Sequence, residues 1–316
     1  MSLPSFERRR LLQAMLAAGG CALAPPLLAQ QPPPKSPLQS PVLTRPIPSS
    51  GEQLPVVGLG SWITFNVGND AQARAACTEV VKAFFAGGGR LIDSSPMYGS
   101  AQSVIGDALA RLGNPANLFS ADKVWTGSES GGAAQAEASR KLWRIPRFDL
   151  LQVHNLLAVE AHLPLLLRMK ASKRLRYAGI TTSEGRRHGE IVKLMESQPL
   201  DFVQVSYNVL DREVENRILP LARERRIAVI VNRPFRQGEL TQALAGKPLP
   251  GWAAEIGCTT WAQVLLKFIV SHPDVTCAIP ATSNPRHASE NMLAARGPMP
   301  DQNLRRRIVS EVTKLT

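Results

Sequence analysis

The sequence predicts an α/β protein built as one closed (β/α)8 TIM barrel. Short apolar runs alternate with longer amphipathic runs along most of the chain, the pattern of parallel strands joined by crossover helices. The alternation repeats eight times, and several of the apolar runs end on a polar or charged residue. Barrels of this kind place their chemistry at the carboxyl ends of the strands and often occupy about 250 residues as one domain. The 316-residue chain has room for such a domain and an amino-terminal extension. A hydrophobic fraction of 44% with 20% charged residues supplies a core and carries no signature of disorder beyond the amino terminus.

Residues 1–29 read as a targeting segment, because Arg8, Arg9 and Arg10 precede an apolar stretch that ends near Leu28 and Ala29. The run from Glu7 to Gln13 resembles a twin-arginine export signal, which implies dealings with an export machinery and a periplasmic or cell-envelope location. Gly19, Gly20, Pro25 and Pro26 interrupt the apolar run, so a stable membrane span is not expected. Residues 30–50 carry seven prolines and read as an extended linker, which leaves 51–316 for the barrel. Removing residues 1–29 leaves Cys77, Cys258 and Cys277, whose spacing fits no metal-ligand motif. The formal charge of +12 falls to about +10 with that removal. Its basic residues are scattered, without an aromatic-interleaved stripe, so a nucleic-acid partner is not expected.

The strand candidates are 56–59, 90–93, 118–123, 150–154, 177–181, 202–206, 228–231 and 276–279. Helical periodicity falls on 70–86, 102–112, 132–143, 160–172, 189–196, 214–225, 259–270 and 285–293. An open doubly wound sheet is the competing fold, but its Gly-x-Gly-x-x-Gly turn is present only as the fragment Gly58 and Gly60. After Arg296 the tail is short, which predicts an open pocket.

Asp93 ends the second strand, and Tyr98 follows it by five residues within Asp93-Ser94-Ser95-Pro96-Met97-Tyr98-Gly99. Lys123 ends the third strand and His154 the fourth. This ordered set resembles the aldo-keto reductase family. The likeness extends from 47–52 and Gly58-Leu59-Gly60-Ser61-Trp62 to Ile279-Pro280-Ala281-Thr282-Ser283-Asn284-Pro285 and Glu290-Asn291.

The resemblance implies a catalytic set of Tyr98, Asp93, Lys123 and His154. Carbonyl reduction needs a hydride at carbon and a proton at the developing alkoxide. Tyr98 is the proton donor in this reading; Lys123 is expected to lower the phenol's pKa, Asp93 to hold the lysine, and His154 to orient the substrate oxygen. No side chain delivers a hydride, so a nicotinamide cofactor is required, NADP(H) ahead of NAD(H).

By the same likeness Thr181, Thr182 and Gln204 hold the carboxamide, and Arg233 and Pro234 line the pyrophosphate channel. Thr282, Ser283 and Arg286 meet the adenosine phosphate at a helix start, and Glu290 and Asn291 meet the adenine. Trp62 and Asn155 flank a small carbonyl substrate. Thr182 stands where relatives carry asparagine, Asn232 where they often carry an aromatic, and Ala281 where many carry lysine. Thr182 and Asn232 keep open a nicotinamide-binding sensor or partner-binding subunit with little turnover, and Ala281 leaves the preference for NADP(H) resting on Arg286. A cofactor-free barrel hydrolase or sugar-phosphate enzyme using Asp93 and His154 is a third reading.

Overall fold

A computed structural model describes residues 40–316; the expected export signal lies outside the described residues. Eight parallel strands form one sheet in sequence order: β3 (Leu59–Gly60), β4 (Leu91–Asp93), β5 (Phe119–Val124), β6 (Leu150–His154), β7 (Tyr177–Thr181), β8 (Phe202–Ser206), β9 (Ala228–Asn232) and β10 (Cys277–Ala278). Parallel bridges from Val57 to Ala278 and from Gly60 to Ala281 close the sheet on itself. The first and last strands meet there so tightly that a Cβ on Gly60 would lie 2.7 Å from the Ile279 carbonyl oxygen, which leaves glycine as the residue that fits. The closed (β/α)8 barrel expected from the eight repeats is therefore the fold, and the open doubly wound sheet is not.

Side chains alternate along each strand, and the alternation sorts them into layers. Phe119, Leu150, Tyr177 and Phe202 fill the interior near the strand starts, with Phe119 and Tyr177 stacked at 5.8 Å between ring centroids. Burying each such ring contributes about 1.5–3 kcal/mol. Two or four residues further on, the inward positions become polar, with Asp93, Lys123, Gln152, His154, Thr181 and Gln204, all buried. The apolar lower layers carry the stability, so the upper layer is free to carry polar groups.

The linker expected over 30–50 ends earlier than its proline content suggested. β1 (Thr44–Pro46) pairs antiparallel with β2 (Gln53–Pro55), and Ile47 and Leu54, both fully buried, join the apolar layer inside the barrel. The prolines are accommodated because this two-stranded hairpin has free edges, where a missing N–H costs no ladder bond. Arg176 and Arg90 pair with Glu52 of the hairpin.

The helices are α1 (Ala71–Ala86), α2 (Ala101–Arg111), α3 (Gly132–Trp143), α4 (Val159–Ala171), α5 (His188–Ser197), α6 (Ile218–Arg225), α7 (Glu239–Ala243), α8 (Trp252–Glu255), α9 (Trp261–Val270), α10 (Pro285–Leu293) and α11 (Gln302–Leu315). Local chemistry sets their starts: Asp70 caps α1 by accepting the Ala73 N–H, Thr260 and Gln263 form a capping box on α9, and Asn284 with Pro285 opens α10. The periodic stretch 214–225 divides into a 3-10 turn, Glu213–Glu215, and α6. The tail after Arg296 forms α11, which buries Ile308 and Val312. Among the described residues no helix is long and apolar enough to cross a membrane.

Candidate active site

Asp93, Lys123 and His154 come from three neighbouring strands, and the register brings their ends together: Asp93 pairs with Ala121, Lys123 with Gln152, and His154 with Thr181. Lys123 is fully buried. Its ammonium donates to Asp93 Oδ2 at 2.6 Å and to the Ser94 carbonyl at 2.7 Å, and lies 5.1 Å from the centroid of the Tyr98 ring. Tyr98 ends a 3-10 turn, Pro96–Tyr98, that starts where Ser95 Oγ accepts the Met97 N–H. A proline at its first position pre-sets the turn, so the sequence between strand and helix aims the phenol back over the barrel mouth. The Tyr98 and His154 rings meet edge to face at 5.8 Å.

Ser95 was not among the expected site residues, yet its Oγ lies 2.8 Å from His154 Nδ1. That hydroxyl accepts the Met97 N–H and has one proton of its own to give; donated to Nδ1, it selects the tautomer with the imidazole proton on Nε2. Burial and the Lys123 charge push the histidine pKa down to about 3, so the ring is neutral at neutral pH. Lys123 lowers the Tyr98 pKa as expected, but a larger effect opposes it. Withdrawal of the phenol from water raises its pKa above the ordinary value, and Lys123 opposes that rise without reversing it. The phenol therefore holds its proton across the neutral range. Burial lowers the Lys123 pKa, but Asp93, Tyr98 and Asp122 more than offset it, so the lysine stays charged.

One side chain joins this cluster to the next. Gln204 donates to Asp93 Oδ1 at 2.9 Å and accepts from Thr181 Oγ1 at 3.2 Å; Gln152 adds a longer contact to Asp93 Oδ1 at 3.4 Å. Asn232 donates to the Thr182 carbonyl at 3.0 Å and to Gln204 Oε1 at 3.3 Å, and accepts from Ser206 Oγ at 2.6 Å. Asn232 thus braces the polar layer where relatives were expected to carry an aromatic. The Thr182 hydroxyl is buried and has no partner among the described residues, which is costly for a polar group and marks a place for a ligand's donor or acceptor.

These groups open into a cavity of about 1040 Å³ at the carboxyl end of the strands. It is lined by Trp62, Asp93, Tyr98, His154, Asn155, Thr181, Thr182, Gln204, Arg233, Pro234, Thr282, Glu290 and Asn291. Lys123 sits behind Asp93 rather than on the surface of the cavity. Ser283 and Arg286 do not line it: both are exposed, and the Arg286 guanidinium lies 3.6 Å from Glu290. His287 lines it instead, because consecutive residues on a helix point about 100° apart. No residue beyond Asn291 contributes to the lining. Across its rim Arg233 pairs with Glu184 at 2.6 Å, joining the loops after β9 and β7.

Comparisons with known proteins bear on the family and the fold. The model of the Aldo/keto reductase family matches residues 56–307. A methylglyoxal reductase, YeaE, of Escherichia coli (strain K12) is 28% identical over 248 residues, covering 77% of this chain and 86% of that protein. An NADH-specific methylglyoxal reductase of the same strain is 25% identical over 237 residues, covering 66% and 72%. The crystal structure of an aldo-keto reductase from Klebsiella pneumoniae in complex with NADPH superposes with a TM-score of 0.72 at 20% identity, covering 87% of this chain and 95% of the other. With the family model spanning nearly the whole barrel and the expected side chains gathered at its mouth, the chain belongs to the aldo/keto reductase family.

Proposed function

We propose that this protein is an NADP(H)-dependent oxidoreductase that reduces aldehyde or ketone carbonyls to alcohols, with Tyr98 as the general acid. The observation that carries the reading is the convergence of Tyr98, Asp93 and His154 on one cavity, with Lys123 held behind Asp93, and with Thr181, Thr182 and Gln204 as the next wall. The residues fit a nicotinamide: the unpartnered Thr182 hydroxyl and the Gln204 amide are groups that would hold a carboxamide, and the cavity continues past Arg233 to the start of α10. When bound, the nicotinamide supplies the hydride that no side chain can.

The protein's part is then to place the carbonyl and to give a proton. His154 Nε2–H and the Tyr98 hydroxyl donate to the carbonyl oxygen, fixing it while charge develops there. Tyr98 passes its proton to that oxygen, and the phenolate left behind is stabilised by the Lys123 ammonium. Asp93 keeps that ammonium in place and balances its burial. Small aldehydes of the methylglyoxal kind suit the reading, since two relatives act on that substrate. The test is turnover of an aldehyde panel with NADPH and with NADH: faster reduction with NADPH is expected, and turnover with neither would overturn the reading.

The amino-terminal signal extends the proposal to export by a twin-arginine route, with the barrel folded around its dinucleotide beforehand. Protein recovered from the cell envelope is then expected to release NADP(H) on denaturation, detected by mass spectrometry. Nucleotide-free protein there would remove this part.

A further inference from the structure

Behind Lys123 lies a charged network that the chemistry above does not use. Along β5, Phe119, Ala121 and Lys123 face the barrel interior, so Asp122 falls on the outer face, toward α2 and α3. It is fully buried there. Its Oδ2 accepts Gln102 Nε2 of α2 at 2.8 Å and Trp143 Nε1 of α3 at 2.6 Å, and its Oδ1 accepts the Lys123 backbone N–H at 2.7 Å. Gln102 also donates to Ser139 Oγ of α3 at 2.9 Å. Two helices and the strand that carries the ammonium are thus tied at one carboxylate.

A neutral acceptor could make the same ties, and burying a carboxylate is costly unless it is compensated. The charged and titratable groups facing this network are Lys123 on its own strand, Asp93 on β4 and Tyr98 in the turn after it; α2 and α3 present only the neutral Gln102, Ser139 and Trp143. Lys123 therefore stands between two acids, Asp93 inside the barrel and Asp122 outside it.

We propose that Asp122 is a positioning residue for the acid pair: it anchors the β5 backbone from which Lys123 reaches Asp93, and its negative charge moderates how strongly Lys123 favours the Tyr98 phenolate. The inference rests on the reading of Tyr98 as the acid. Burial pushes the Asp122 carboxyl up to about 7, so it is ionised in the alkaline range where phenols titrate. There it acts against the phenolate and keeps Tyr98 protonated to higher pH.

Removing the charge has a defined sign. In Asp122→Asn, and in Asp122→Thr, whose β-branched side chain suits a strand, the alkaline limb of kcat/KM for carbonyl reduction is expected to move to lower pH, by less than about one unit. Trp143→Phe removes one hydrogen bond and keeps the charge, so its Tm is expected to fall with the limb in place. A limb unmoved in both Asp122 variants, or moved equally in Trp143→Phe, would overturn the proposal.

A second readout needs neither variants nor turnover. With only three tyrosines in the chain, the Tyr98 ring carbons can be followed by NMR in the unaltered protein. They are expected to show an inflection near pH 7 as Asp122 ionises, and a flat line through that interval would contradict the proposal. If Tyr98 were not the acid, Tyr98→Phe would keep its activity while the NMR inflection stood, so the two failures are distinguishable.

Discussion

Tyr98→Phe is expected to lower kcat for carbonyl reduction by about two to four orders of magnitude, the usual contribution of a positioned general acid, while the dissociation constant for NADPH stays within a factor of about two. The phenylalanine ring preserves the edge-to-face contact with His154 and the packing over Lys123, so little beyond the hydroxyl is lost. Without that hydroxyl the developing alkoxide has no acid beside it. His154 does not substitute, because burial and Lys123 hold its pKa near 3 and an Nε2–H on a neutral imidazole is a poor proton donor. Steady-state rates together with a fluorescence titration of NADPH separate loss of chemistry from loss of binding.

Lys123→Met is expected to damage both activity and stability, and for one reason. The substitution removes the charge that stabilises the Tyr98 phenolate, so kcat falls by about two orders of magnitude or more. It also leaves Asp93 buried without its counter-charge. Gln204 and Gln152 still donate to Oδ1, but the 2.6 Å charged bond to Oδ2 is gone. Breaking a buried pair from one side costs about 3–5 kcal/mol, a large share of the stability of an ordinary domain. Denaturant unfolding of the variant measures it. Replacing both partners, as Lys123→Met with Asp93→Leu, is expected to recover much of the stability and none of the activity, because no unpaired charge then remains.

What was legible in the sequence follows from which features are local. The barrel could be read because each strand and helix announces its own period, and 132–143, 150–154, 177–181 and 202–206 coincide with α3, β6, β7 and β8. The hairpin of β1 and β2 could not, since it exists through pairing with a segment nine residues away and through Ile47 entering the barrel, contacts that proline content does not encode. Residue types and order placed Asp93, Tyr98, Lys123 and His154, but not the balance of energies among them. Burial outweighs the lysine at Tyr98, a result that depends on how much chain covers the phenol. Ser95 was hidden for a similar reason, because a small residue in a loop gains meaning only when the fold sets it 2.8 Å from His154. At α10 the motif located the helix, while which of its residues face the cavity, His287 and not Arg286, depends on how the helix is set against the barrel.

Delivery of a hydride and of the Tyr98 proton to one carbonyl in this cavity can be followed isotopically. The most direct measurement is a single turnover of methylglyoxal by protein loaded with NADPH deuterated at nicotinamide C4 on the transferred face. One deuterium is expected on the carbinol carbon of the product with the unaltered protein, and product formation in Tyr98→Phe is expected to be slower by at least about a hundredfold. Equal rates in the two proteins, or product without deuterium at that carbon, would contradict it.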